Sequence, residues 1–200
     1  NFLDKQGNEV LEKDVFDGAV VAENLFVVAD SAHRLGLYTR TLTSLSPHSY
    51  SSIQSTANQN IFQLVRNLEK DSTSIYHAYA TNGKFLGEQK NMSIHANGNN
   101  VSIKDAFGSS LIDTAGNMVA VFKEGRLEPL GDIFWKLKTM DNKVGIVSLF
   151  GNVLVEPKYS ELIAIKKDRF GYYLEGKGGM MDSQFHEIWS LDSAIACDTF

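Results

Sequence analysis

The sequence predicts an all-β chain, a tandem array of antiparallel β-meander repeats of about 35 residues, either open and superhelical or closed as a small propeller. Three observations carry that expectation. Short β-branched and aromatic runs recur between glycine-centred turns. Helical periodicity is weak throughout. One stretch, residues 143–177, reads as a complete meander onto which the rest of the chain aligns.

Within that stretch, residues 144–149 form a strand and Phe150-Gly151-Asn152 a tight turn. Residues 153–155 form a second strand, stopped by Pro157, whose ring nitrogen has no hydrogen to give a ladder. Residues 158–165 and 170–174 supply a third and a fourth apolar segment. Taking Gly145 as anchor, equivalent positions fall at Asn1, Gly36, His77, Ser110 and Gly179. One residue after the anchor stand Phe2, Leu37, Ala78, Leu111, Ile146 and Met180; two after it stand Leu3, Tyr38, Tyr79, Ile112, Val147 and Met181. Nine after it stand Val10, Leu45, Leu86, Val119, Leu154 and Ile188. All are apolar or aromatic, as buried strand positions require.

The turn column holds Gly7, Leu42, Gly83, Gly116, Gly151 and Phe185. Glycine adopts positive φ without a Cβ clash, so Gly116 and Gly151 are expected there. A late strand recurs at residues 25–28, 61–65, 101–103, 133–137 and 170–174. The helix-like stretches 60–70 and 187–195 are the best candidates against the pattern, and the first reads as strand plus loop. No linker divides the chain. It is expected to be one repeat domain over 1–200, with units near 1–35, 36–76, 77–109, 110–144 and 145–178 and a partial unit at 179–200.

Composition narrows the function classes. Two hundred residues with a net charge of -5 can bury a core but show no clustered basic face, so nucleic acid is not an expected partner. The lone Cys197 excludes an internal disulfide framework and a multi-cysteine zinc site. No apolar run approaches a membrane span. The compartment stays open, with a secreted or cell-surface location favoured over the cytoplasm. Asn91-Met92-Ser93 and Asn100-Val101-Ser102 match the glycosylation acceptor pattern, which matters only on a eukaryotic secretory route.

The pattern Gly-Ile-Val-x-x-x-Gly-Asn-x-x-x-x-Pro-x-Tyr-x-x-Leu at 145–162 resembles the WG repeat, a β-rich repeat common in bacterial proteins. Residues 2–10 and 111–117 are similar to the same motif. The tryptophan that names the repeat should precede the anchor, where this chain has Leu35, Val144 and Gly178, so the copies are degenerate. The resemblance implies a repetitive β scaffold, usually without catalytic residues of its own.

His33, His48, His77, His95 and His186 form no zincin-type pair. Asp4, Asp113 and Asp182 share a position and read either as a calcium ladder or as turn caps, the following glycines favouring caps for the first two. Gly108-Ser109-Ser110 lacks a nucleophile elbow, and residues 176–179 read as a hairpin turn, not a phosphate loop. Aromatic residues are more suggestive, because an exposed row makes a peptide or glycan platform. Adjacent Tyr172 and Tyr173 must face opposite ways, so one points outward. The candidate ligand-binding residues are Tyr38, Tyr79, Trp135, Tyr159, Tyr173 and Trp189, with no catalytic or metal site and no cofactor. The expected function is a non-enzymatic module binding a protein or peptide. A carbohydrate-binding protein using the same aromatics is the alternative, and a propeller-type hydrolase with Asp113 or His77 at a channel mouth is third.

Overall fold

The computed structural model describes residues 15–22, 25–56, 60–68, 72–92 and 94–191. The first anchor Asn1 with Phe2, Leu3, Asp4, Gly7 and Val10 lies outside them, as do Ser93 and Cys197. Among the described residues there is no helix, and the strands form five sheets. The first sheet holds β1 (Val15–Ala22), β2 (Leu25–Asp30) and β3 (Leu35–Thr39). The second holds β4 (Ser52–Ser55), β5 (Ile61–Leu68), β6 (Thr73–Ala80) and β7 (Phe85–Lys90). The third holds β8 (His95–Asn97), β9 (Asn100–Lys104), β10 (Gly108–Asp113) and β11 (Met118–Lys123). The fourth holds β12 (Gly125–Leu130), β13 (Phe134–Thr139), β14 (Val144–Ser148) and β15 (Val153–Tyr159). The fifth holds β16 (Glu161–Lys166), β17 (Arg169–Leu174), β18 (Lys177–Asp182) and β19 (Glu187–Leu191). Each is an antiparallel meander with its strands side by side in chain order. Both helix-like stretches are strands where described, β5 and β19.

The chain divides into two compact units. One comprises the described residues up to Ile94 with Asp113–Asn117; the other comprises His95–Ile112 with the described residues from Met118 onward.

The turn column is a backbone structure repeated five times. Leu42, Gly83, Gly116, Gly151 and Phe185 all have φ between 63° and 88°. Each donates its N–H to the carbonyl three residues back at 2.9–3.0 Å. The residue three back donates in turn to the carbonyl just past the column, also at 2.9–3.0 Å. This is a three-residue hairpin loop closed by a left-handed residue, and it forces a bulge on the following strand. The skipped residues, Leu86, Val119, Leu154 and Ile188, are those nine places after each anchor. The two non-glycine members, Leu42 and Phe185, occupy the same strained region.

The anchor glycines have a separate cause. A Cβ on Gly145 would lie 2.4 Å from the Val155 carbonyl oxygen and 2.8 Å from the Pro157 nitrogen, so the bulged β15 backbone passes directly over it. Cβ atoms on Gly36 and Gly179 would strike the His48 and Tyr172 rings at 2.5 and 2.4 Å. Pro157 does not end its strand as expected: β15 continues to Tyr159. It is a sheet-edge strand, where a missing N–H removes no ladder bond.

Packing follows the two columns beside the anchor. Leu37, Ala78, Leu111 and Ile146 are fully buried. Leu37 packs on the second sheet, Leu111 on the fourth and Ile146 on the fifth, each on the sheet that follows its own. Tyr79, Val147 and Met181 pack on the sheet that precedes theirs. Each such aliphatic side chain removed from water contributes about 1.5–3 kcal/mol. Buried amides fix the register between these layers. Gln63 donates to the Ile94 carbonyl and accepts from its N–H, both at 2.8 Å. Asn97 and Asn100 reach from the β8–β9 hairpin to the carbonyls of Phe134 and Leu149, each at 2.6 Å.

The sequence repeat and the sheet are out of phase. The unit starting at Gly145 supplies the third and fourth strands of one sheet, then the first and second of the next.

Candidate functional site

The fifth sheet is built from ELIAIK, RFGYYL, KGGMMD and EIWSL. Its register sorts these side chains onto two faces. Leu162, Phe170, Tyr172 and Met181 point into the core against Leu130, Val144, Ile146 and Tyr159 of the fourth sheet. The opposite face carries two cross-strand rows, Glu161–Tyr173–Gly178–Leu191 and Ile163–Gly171–Met180–Trp189. It is largely open to solvent: Ile163 is 54% exposed, Tyr173 40%, Trp189 45% and Leu191 58%. A Cβ at Gly171 would come within 3.0 Å of Ile163 and 3.2 Å of Ile165, so these two isoleucines lean over the bare backbone and flatten the surface.

Charge is held at the margins. Glu161 accepts a hydrogen bond from Lys136 at 3.0 Å. Arg169 pairs with Asp168 at 3.0 Å. Glu187 accepts from Tyr172 and Ser190. The Tyr172 hydroxyl is pushed up to about 12, first by burial and then by its bond to Glu187. The middle of the face is therefore an apolar strip with one tyrosine and one tryptophan.

Of the six aromatics nominated from sequence, Tyr173 and Trp189 share this face, on strands β17 and β19 with β18 between them. Three are corrected to core positions. Trp135 is 0% exposed, packed among Leu111, Leu127, Leu137 and Val147. Tyr159 is buried against Tyr172, with ring centroids 5.0 Å apart. Tyr79 is buried, stacked on Phe62 at 5.9 Å with its hydroxyl 3.3 Å from that of Tyr50, and burial drives its pKa upward. All three lie on faces that a neighbouring sheet covers, which an aromatic column alone does not reveal. Tyr38 is half-buried in the first sheet, its ring stacked on Phe26 and tilted against His48. Sequence reasoning missed Ile163, Ile165, Met180 and Leu191. The signal was the unbroken apolar run Leu162–Ile165, which places greasy side chains on both faces of one strand.

The polar candidates have local partners. Asp113 caps its turn, accepting from Ala115 and Asn117 N–H at 2.9 and 2.8 Å. Asp182 does the same for Gln184 and His186, both at 2.9 Å. Asp30 makes an identical cap at the β2–β3 turn, which the column alignment did not include. His77 accepts from or donates to the Tyr50 hydroxyl at 2.6 Å through Nδ1, and its Nε2 lies 3.2 Å from Glu88. Burial holds its pKa below the usual imidazole value. Among the described residues no group of three or more His, Cys, Asp or Glu is placed to hold a metal ion, and no helix is long and apolar enough to cross a membrane.

No protein-family model matches the chain, and no curated protein does. Among solved structures, it is similar to the WD40 domain of SCAP from fission yeast, at 13% identity and a TM-score of 0.36, over 89% of this chain and 52% of that one. It is also similar to BamB from Moraxella catarrhalis, at 13% identity and a TM-score of 0.38, over 94% of this chain and 59% of that one. The chain thus spans little more than half the length of either structure.

Proposed function

We propose that the chain is a non-enzymatic β-repeat binding module that presents the outward face of β16–β19 to a protein or peptide partner. The observation that carries this is the contiguous exposed strip of Ile163, Tyr173, Trp189 and Leu191. Their exposures correspond to a patch of about 400 Å², within the range of the largest patch on a monomer surface, which is often a functional one. The surroundings favour protein over glycan. A sugar platform sets hydrogen-bonding groups beside its rings; here Glu161, tied to Lys136, stands across from Tyr173, and the rest of the face around Tyr173 and Trp189 is Ile163, Met180, Leu191 and two glycines. The degenerate WG-type repeat supplies the scaffold, and its stacked units hold the face rigid.

The test is parallel capture from an extract of the native host and binding to a glycan array, using wild type, Tyr173→Ser and Trp189→Ser. A protein retained by wild type and lost with either variant is the expected result. Glycan binding lost in the same variants would replace the protein reading, and substrate turnover by the isolated chain would remove the binding-module reading.

A further inference from the structure

Within the unit that contains β8–β19, two large apolar side chains are held out into water by rigid turns. Phe107, in the β9–β10 turn, is 81% exposed, and Met140, in the β13–β14 turn, is 78% exposed. Neither turn is loose. Asp105 accepts from the Phe107 and Gly108 N–H groups at 2.7 and 3.0 Å, and the Phe107 carbonyl accepts from the Glu124 N–H at 2.7 Å. In the other turn the Thr139 N–H donates to the Lys143 carbonyl at 2.9 Å, and the Asn142 N–H to the Thr139 carbonyl at 3.0 Å. Both side chains line one cleft of about 440 Å³, walled by the start of β12 and the end of β13. That wall carries a cation without a partner. The ladder places Lys138 directly opposite Arg126, so two cations share one face of the sheet, an arrangement that costs stability. Glu128 answers Arg126, at 3.4 Å, and lies 3.8 Å from Lys136. Among the described residues no carboxylate pairs with Lys138, although it is half-buried. Glu124 also lines the cleft, but it is exposed, and its field is the more strongly screened of the two.

We infer that this cleft binds an extended peptide segment in which a bulky apolar side chain is followed by a carboxylate. The apolar side chain sits between Phe107 and Met140, and the carboxylate meets Lys138 and Arg126. The site shares no residue with the β16–β19 face and goes beyond the reading given for it. Three features choose the occupant. Side chains displayed by turns that are already fixed lose little freedom on binding, and an aromatic ring beside an adaptable methionine makes an effective anchor pair. The cleft is open, since Lys104, Asp105, Ala106 and Glu124 around it are all exposed. It therefore suits a stretch of chain that continues past it better than a small molecule, which a pocket must largely enclose. Charge decides the last point. Asp105 and Glu124 beside Phe107 repel an extended anionic surface such as a lipid bilayer or a nucleic acid, whereas one carboxylate reaching the wall meets two cations. It also relieves the repulsion that the Arg126–Lys138 pair carries in the free chain.

The test is selection of a phage-displayed random peptide library on the whole chain carrying Tyr173→Ser, so that the β16–β19 face does not compete. Enriched peptides are expected to carry Phe, Leu, Ile or Met followed within about three residues, roughly 10 Å of extended chain, by Asp or Glu. An enriched peptide, dye-labelled and titrated by fluorescence anisotropy, should bind a chain with Lys138→Met at least about tenfold more weakly, as expected when one partner of a charge pair is removed. Lys138→Arg should keep the binding. Phe107→Ser and Met140→Ser should each weaken it at least about fivefold, as anchor residues do. Urea unfolding of both serine variants should match that of the parent chain, because the two side chains are exposed. No enrichment would overturn the inference. So would enriched peptides that lack an acidic residue, or that bind Lys138→Met or both serine variants as tightly as the parent chain. The β16–β19 reading has its own readout, the retained protein lost with Tyr173→Ser, so either can fail while the other stands.

Discussion

Gly151 and Gly176 share a left-handed backbone, with φ of 79° and 83°, and differ in what surrounds them. A Cβ on Gly151 would sit 2.5 Å from the Cβ of Ala120 and 3.4 Å from Val119, on strand β11. A Cβ on Gly176 would meet nothing within 4 Å. Alanine at Gly176 therefore carries only the left-handed penalty of an L-residue, about 1–2 kcal/mol. Alanine at Gly151 carries that penalty plus overpacking against strand β11, where the obstacle is a Cβ that moves only with its backbone, a further 1–3 kcal/mol or so. Gly151→Ala is thus expected to destabilise by about 2–5 kcal/mol in total, and Gly151→Val by more, since a branched Cβ is worse in both respects. Urea unfolding followed by far-ultraviolet circular dichroism measures both variants, which lie in the same compact unit. Equal losses at the two positions would show that the β14–β15 turn does not pack on β11. No loss at either would show that neither turn is left-handed.

Two other outcomes follow from buried and capping polar groups. Gln63→Leu should destabilise by about 2–4 kcal/mol, because it strands the buried N–H and carbonyl of Ile94; thermal unfolding reads this, and an unchanged midpoint would mean that the bidentate bond is absent. The carboxyls of Asp30, Asp113 and Asp182 are held below their usual range, chiefly by the Arg34 backbone N–H, the Asn117 side chain and the His186 backbone N–H respectively. The stability they add is present above the ordinary carboxylate value of about 3.9 and is lost as pH falls through their lower folded values. The triple Asn variant should lose less stability than wild type between about pH 5 and pH 2 in denaturant titrations, and parallel curves would refute the caps.

Much of the fold was legible because its strongest constraint is local. The hairpin loop demands a left-handed residue, and four glycines at one spacing announce it. Once that column is set, the bulge nine residues after the anchor and the two buried columns beside it follow from strand alternation. Leu42 and Phe185 could be assigned to the same turn only by alignment, because their side chains argue against it. Alternation also separated Tyr173 from Tyr172. It does not tell which face of a strand a neighbouring sheet covers, so in the sequence Trp135, Tyr79 and Tyr159 look the same as Trp189. That distinction depends on the order in which sheets pack, which no single repeat encodes. Pro157 reads as a stop in the sequence because its edge position becomes visible only in the pairing of β15 with β14 alone.

The half-unit offset between repeat and sheet bears on how such a chain can change length. A gene duplication cut at the anchors would copy two strands that finish one sheet and two that begin the next. Splicing that segment back in lengthens the protein by one whole sheet, since each half finds its complementary half already waiting at the junction. Deleting it rejoins the flanking halves in the same way. Neither event strands an unpaired hairpin, and neither alters the kind of layer-to-layer contact the neighbours make. A chain assembled like this can gain or lose a repeat with every strand still paired, and the turn itself accepts Leu42 and Phe185 where other copies carry glycine.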